Sequence, residues 1–275
     1  MRVADRSEGR KLDVTRGQCA IGGFQARYAG ISDPGRVRRC NEDNLLLHGP
    51  AGIFAVADGL GGLDAGDVAS SAALAHLREL APVPPVSSGN PLALLASGGR
   101  LRRLETLVAA VNSRTYAHRL ALGKNMATTL AVAQLVGSEA LLAHVGDSRI
   151  YLWRDNELRR LTSDHSLVNE LCSQGALTAD QAEHSPQRHV ITRAVGAGPS
   201  VVPTMRRQTM RPGDLLLLCT DGLTSMANDG EIARCLGNAG DDPGQSAAQL
   251  IGLANEAGGH DNVTEIGRAS CRERV

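Results

Sequence analysis

Three apolar, strand-like runs in this chain each end at an aspartate. Phe54-Ala55-Val56-Ala57 leads to Asp58, Leu142-Ala143-His144-Val145-Gly146 to Asp147, and Leu215 through Thr220 to Asp221. A fourth aspartate, Asp261, stands just ahead of Val263-Thr264, where another strand is expected to begin. Neighbouring strands lie about 5 Å apart, so side chains at their ends converge wherever the strands are neighbours. Carboxylates brought that close repel one another unless a cation neutralises them. An all-oxygen set without paired His or Cys favours Mg²⁺ or Mn²⁺ over zinc. Taken singly, Asp58-Gly59, Asp221-Gly222 and Asp261-Asn262 read as ordinary turn dipeptides, and only the set of four argues for a metal site.

Further β-type runs occur at 45–48, 128–136, 140–145, 150–153 and 158–161, and Asp155-Asn156 between the last two has the residue types of a tight hairpin turn. Helical periodicity fits 65–80, 92–122 with a break near Gly98-Gly99, 167–174 and 245–257. Asp242-Pro243 is a suitable N-cap and first helical residue, and Thr178 with Gln181 forms a potential capping box. Many short strands with few helices predict an α+β fold in which sheet packs on sheet and helices lie outside. Residues 82–89, rich in Pro and Ser, read as a surface connector within one domain, and residues 1–17 as a charged, poorly ordered tail.

Composition narrows the functions available. One Trp, three Tyr and two Phe leave an aliphatic core and no aromatic platform for stacking bases. Lys plus Arg equals Asp plus Glu at 29 each, which removes the electrostatic case for nucleic acid or an acidic membrane. The first eleven residues are charged and unlike a signal peptide, no apolar stretch is long enough to span a bilayer, and the six cysteines lack a C-x-x-C pair. A cytoplasmic protein with reduced thiols is expected, and nothing demands more than a monomer.

Seven segments then recur in an order that resembles the type 2C, metal-dependent protein phosphatase family (PPM), in its bacterial form. They are Ser32 to Asp43, Phe54 to Gly62 with Ala65-Gly66, Met126 to Leu130, His144 to Arg149, Leu161 to Ser166, Pro212 to Leu223, and Gly258 to Thr264. Each alone is weak, whereas seven in order over about residues 20–264 are specific. The resemblance implies a central sandwich of two antiparallel sheets flanked on both sides by helices, with a two-metal site for Mn²⁺ or Mg²⁺ at one end. It implies that Asp58 bridges the two ions, that the Gly59 carbonyl binds one, and that Asp221 and Asp261 ligate the other. It further implies that Asp147, with Asp221, holds a third, weaker ion, that Glu42 and Asp43 hold metal-bound waters, and that Arg38 takes the substrate phosphate. Phosphoserine and phosphothreonine in proteins would be the substrates, and a Ser/Thr kinase the counterpart. The chemistry is coherent: paired divalent ions lower the pKa of a water for in-line attack on phosphorus, and the Arg38 fork suits two phosphate oxygens.

The chain departs from the family pattern at Leu60, Leu63 and Ala127. Leu60 stands where eukaryotic relatives carry a histidine general acid, so another group must protonate the leaving oxygen. Residues 163–195 match the flap of bacterial members, and His165, His184 and His189 within it read as solvated or packing histidines. After Thr264 the string Glu265-Ile266-Gly267-Arg268-Ala269-Ser270-Cys271-Arg272-Glu273-Arg274-Val275 is charged and poor in strand formers. It matches an in-frame translation of a sequencing-library adapter, so 265–275 is expected to be non-native, with the domain ending at 264 and its last strand missing. Two rival functions are a catalytically dead module of the same fold, which would lack ligands, and a nucleotide cradle at Gly59-Leu60-Gly61-Gly62, which lacks a complete phosphate-loop pattern.

Overall fold

The computed structural model describes residues 12–21, 24–61, 65–81, 97–240 and 242–271. In chain order these form β1 (Thr15–Ile21), β2 (Phe24–Asp33), β3 (Asp43–His48), β4 (Ile53–Leu60), α1 (Gly66–Leu80), α2 (Ser97–Leu122), β5 (Ala127–Thr128), β6 (Leu130–Val136), β7 (Glu139–Val145), β8 (Arg149–Arg154) and β9 (Glu157–Arg160). There follow α3 (Leu167–Ser173), α4 (Ala179–Glu183), β10 (Thr204–Thr209), β11 (Leu215–Cys219), α5 (Asp221–Thr224), α6 (Asp229–Ala239), α7 (Pro243–Glu256) and β12 (Val263–Cys271). One sheet runs β1-β2-β12-β11-β8-β9 and the other β10-β7-β6-β4-β3, with β5 on the end of β4. Every pairing is antiparallel.

The continuous apolar runs have a simple physical origin: their strands are covered on both faces. In β4, Phe54 and Val56 point between the sheets, where they meet Ala131, Leu142, Ile150, Leu216 and Ile266. Ile53, Ala55 and Ala57 point the other way, under Leu74, Leu77, Leu104 and Val111 of α1 and α2. On the far side, Ile31, Leu215, Leu217 and Val263 pack beneath Ile232 and Leu236 of α6 and Leu250 and Ile251 of α7. The four layers are therefore helix, sheet, sheet, helix, as expected.

Local signals were also accurate. Asp155 and Asn156 adopt φ of 52° and 62° in the β8–β9 turn, Thr178 and Gln181 form the capping box of α4, and the Asp242 side chain caps α7 with Pro243 at its start. Three expectations need correction. Strand β1 begins at Thr15, inside the segment read as tail, of which residues 1–11 lie outside the described residues. The Gly98-Gly99 break falls in the first turn of α2, while 92–96 and the 82–89 connector lie outside the described residues. The position of the last strand is not left empty: β12, which continues through Cys271, lies between β2 and β11 and pairs with both. Two mid-sheet partners offer it ladder hydrogen bonds on both sides, which outweighs its weak strand propensity.

That placement buries Glu265 completely, opposite Ile31 and Cys219. Neither of its carboxyl oxygens makes a hydrogen bond of ordinary geometry. Burial raises its pKa well above the usual carboxylate range, and the backbone of Ile251 offsets this only in part.

Candidate active site

Topology brings the four aspartates together. Strands β4 and β7 both run antiparallel to β6, so their C-terminal ends lie on the same side. Only Gly146, Asp147 and Ser148 separate β7 from β8, which carries the chain to the other sheet. Strand β11 runs antiparallel to β8 and β12, with Cys219 opposite both Arg149 and Glu265, so the end of β11 and the start of β12 close the same rim. An open cleft of about 1330 Å³ results, lined by Asp58, Gly59, Asp147, Asp221 and Asp261 together with Arg38 and Glu42.

Each acidic group has its own support. Asp58 lies opposite Asp43 in the β3–β4 register. Its N–H donates to Thr129 Oγ1 at 2.9 Å, while its carbonyl accepts from the Thr129 N–H at 2.9 Å and from Thr128 Oγ1 at 2.8 Å. Asp43 is buried beneath the cleft rather than lining it, and accepts from Thr220 Oγ1 at 2.7 Å. Gly59 lines the rim where the backbone passes against α1: a Cβ there would strike the Gly66 carbonyl and lie 2.7 Å from the Glu42 oxygen. Gly146, at φ +99°, lets the chain turn into Asp147 where a Cβ would sit 2.7 Å from the Thr129 side chain.

The electrostatics are those of an under-neutralised anionic pocket. Burial raises Asp58 well above the usual range, and the charges of Asp43, Asp221, Asp147 and Asp261 push it the same way. Asp43 and Asp221 are raised mainly by burial, the latter also by Asp261 and eased by a hydrogen bond with Asp58. Asp147 is pushed up to about 7, first by burial, then by Asp221 and Asp164. Burial likewise raises Glu42, partly offset by the Gly66 N–H. Crowded, partly desolvated carboxylates of this kind fit a divalent cation, which supplies the charge that the protein does not. Arg38, expected to meet phosphate, here donates to Asp261 Oδ2 at 2.8 Å. Among the described residues no three His, Cys, Asp or Glu side chains already converge as a finished ion cage.

Asn262, Thr128 and Thr129 support the site in ways that their place in the sequence does not show. Asn262 accepts from the Glu42 N–H at 2.9 Å and donates to the carbonyls of Pro34 and Cys40 at 3.1 and 2.9 Å, tying the Arg38 loop to the Asp261 loop. Thr128 and Thr129 fix the backbone of Asp58. Their position beside the aspartate segments was the only signal available. Of the three flap histidines, His184 and His189 line the cleft and His165 is buried behind it.

Comparison with known proteins agrees with this geometry. The family model for protein phosphatase 2C matches residues 36–239. The chain is 39% identical over 246 residues to the serine/threonine protein phosphatase PstP of Mycobacterium tuberculosis, covering 87% of this chain and 44% of that protein, so it spans less than half of that relative. It is 33% identical over 253 residues to the protein phosphatase PhpP of Streptococcus pneumoniae, covering 85% and 93% respectively. Among solved structures, the catalytic domain of PstP in complex with two manganese ions superposes with a TM-score of 0.74 at 36% identity, over 90% of this chain and 99% of that one.

Proposed function

The chain belongs to the protein phosphatase 2C family, and from that premise we propose that it hydrolyses phosphoserine and phosphothreonine in proteins, using Mn²⁺ or Mg²⁺. The observation that carries this reading is the convergence of Asp58, Asp147, Asp221 and Asp261 with Arg38 in one cleft. Every acidic position that the family pattern requires is occupied, which leaves the dead-module alternative without support.

Asp58, the Gly59 carbonyl, Asp221 and Asp261 would hold two ions, and Asp147 with Asp221 a third. When bound, such ions supply an activated water and neutralise charge on the phosphoryl oxygens. The protein's own groups do the rest. Asp43, held by Thr220 beneath the cleft, adds negative charge next to Asp58 rather than holding water at the rim, and Glu42, anchored through Asn262 and Gly66, orients water there. Arg38, released from Asp261, presents a planar pair of N–H donors to two phosphate oxygens and offsets the charge that builds in the transition state. The face formed by α3 and α4 lies along the same cleft, where it would meet the polypeptide around the phosphorylated residue.

A Ser/Thr protein kinase as counterpart, a monomeric state and a cytoplasmic site of action belong to the same proposal. Among the described residues no helix is long and apolar enough to cross a membrane. The test is Mn²⁺-dependent phosphate release from a phosphothreonine peptide by this chain, by Asp58→Ala and by Asp221→Ala. Metal-dependent release that both substitutions abolish is expected, and release that survives both would remove the site from the mechanism.

A further inference from the structure

Behind the cleft, two buried histidines stack with ring centroids 4.6 Å apart and planes 18° from parallel: His144 on β7 and His165 ahead of α3. Their hydrogen bonds fix which nitrogen carries each proton. The Gly146 N–H donates to His165 Nδ1 at 3.2 Å, so that nitrogen is bare and Nε2 holds the hydrogen, which it donates to Thr204 Oγ1 at 2.8 Å; Arg193 Nη1, 3.4 Å from the same Nε2, is then a close neighbour and not a donor to it. His144 Nε2 donates to the Ser163 carbonyl at 2.8 Å.

The main chain of His165 is equally committed. Its N–H donates to the Gly146 carbonyl at 2.9 Å, and its carbonyl accepts from the Thr192 N–H at 2.8 Å. Gly146 immediately precedes Asp147. Thr192 closes the excursion that carries α3 and α4, which starts after His165 and is pinned at its base by the Ser166–Ile191 bridge and the Leu167 N–H to Val190 carbonyl bond. A single residue thus clasps Gly146 through ring and backbone, holds the far end of the excursion, and anchors both to β10.

We propose that His165 is a positioning residue that fixes Asp147 and the α3–α4 excursion relative to each other, so that the cleft wall facing substrate and the carboxylate of the third metal position move as one unit. The inference deepens the phosphatase reading and rests on it for the role of Asp147. The neutral form that the bonds require is consistent with the surroundings: burial, then His144 and Arg193, lower the His165 pKa to about 4.

The contacts at the two ring nitrogens can be separated. Asn at 165 places an acceptor near the Nδ1 position, whereas Gln reaches towards the Nε2 position. With metal-free protein, hydrogen exchange at Gly146 and Thr192 and limited proteolysis within 167–190 are compared for the native chain, His165→Asn and His165→Gln. In His165→Gln the buried Gly146 N–H loses its partner, so its exchange should quicken by about 10- to 100-fold. Thr192 exchange and cleavage within 167–190 should rise with it, and the Mn²⁺ concentration for half-maximal phosphate release should increase. His165→Asn should stay near the native chain at Gly146. Equal behaviour of the two variants, or faster exchange at Gly146 with Thr192 and the excursion unchanged, would overturn the coupling. A native chain that releases no phosphate would instead sink the phosphatase reading, leaving the exchange and proteolysis results to judge the clasp.

Discussion

Replacing Glu265 by valine should make this protein more stable, and by an amount that grows with pH. Glu265 is 0% exposed, stands in mid-sheet opposite Ile31 and Cys219, and has no hydrogen bond of ordinary geometry on either oxygen, the Ile251 backbone compensating only in part. Leaving a buried polar group unsatisfied costs about 1–3 kcal/mol. Valine removes that penalty, keeps a similar volume, suits the strand, and adds apolar burial worth about 1 kcal/mol. A gain of about 2–4 kcal/mol follows at low pH, where the carboxyl is protonated in both states, or a Tm higher by about 5–15 °C for a domain of this size. The sign of the pH term comes from a folded-state pKa raised above its unfolded value. As pH climbs from about 4.3, the unfolded chain releases the proton while the folded chain keeps it, so native stability falls by up to about 1.4 kcal/mol per unit until the raised folded value is passed. Thermal unfolding of both proteins at pH 5 and pH 8 is the assay. The valine form should lead at both, and by more at pH 8. A lead that is absent, or identical at the two pH values, would refute the reasoning. The prediction also bears on the origin of 265–275, which we propose is non-native: a residue that the fold penalises so heavily stands where an apolar side chain belongs.

Two further outcomes follow from the rim. Asn262→Ala removes three hydrogen bonds between the Arg38 and Asp261 loops, so denaturant unfolding should show a loss of about 2–4 kcal/mol and kcat should fall as Arg38 loses its alignment. Gly59→Ala drives a Cβ into the backbone at Gly66 and Glu42; overpacking against backbone should cost about 3 kcal/mol, whereas Gly61→Ala, whose Cβ comes within 3.0 Å of the Asn125 oxygen, should cost clearly less in the same measurement.

Much of the fold was legible because burial on two faces writes itself as an uninterrupted apolar run. Strands β4, β7 and β11 were visible for that reason, and so were the aspartates at their ends. Residue chemistry at turns and caps was equally local, as Asp155-Asn156 and Asp242-Pro243 show. Strands β1, β2 and β10 escaped notice because their mixed, Gly-, Ala- and Arg-bearing sequences owe their form to neighbours, and α6 because its apolar positions are few. The placement of β12 reversed the expectation drawn from composition, since two flanking ladders override propensity. Thus the sequence by itself determined which residue types are available for chemistry and that four carboxylates end or begin strands. Only the tertiary structure decided that Asp43 lies under Asp58, that Arg38 rests on Asp261, that Asn262 joins two loops, and that His165 stands behind Asp147. Those facts depend on strand register and on contacts between segments far apart in the chain, and a periodicity read along one strand carries no information about the strand it will lie beside.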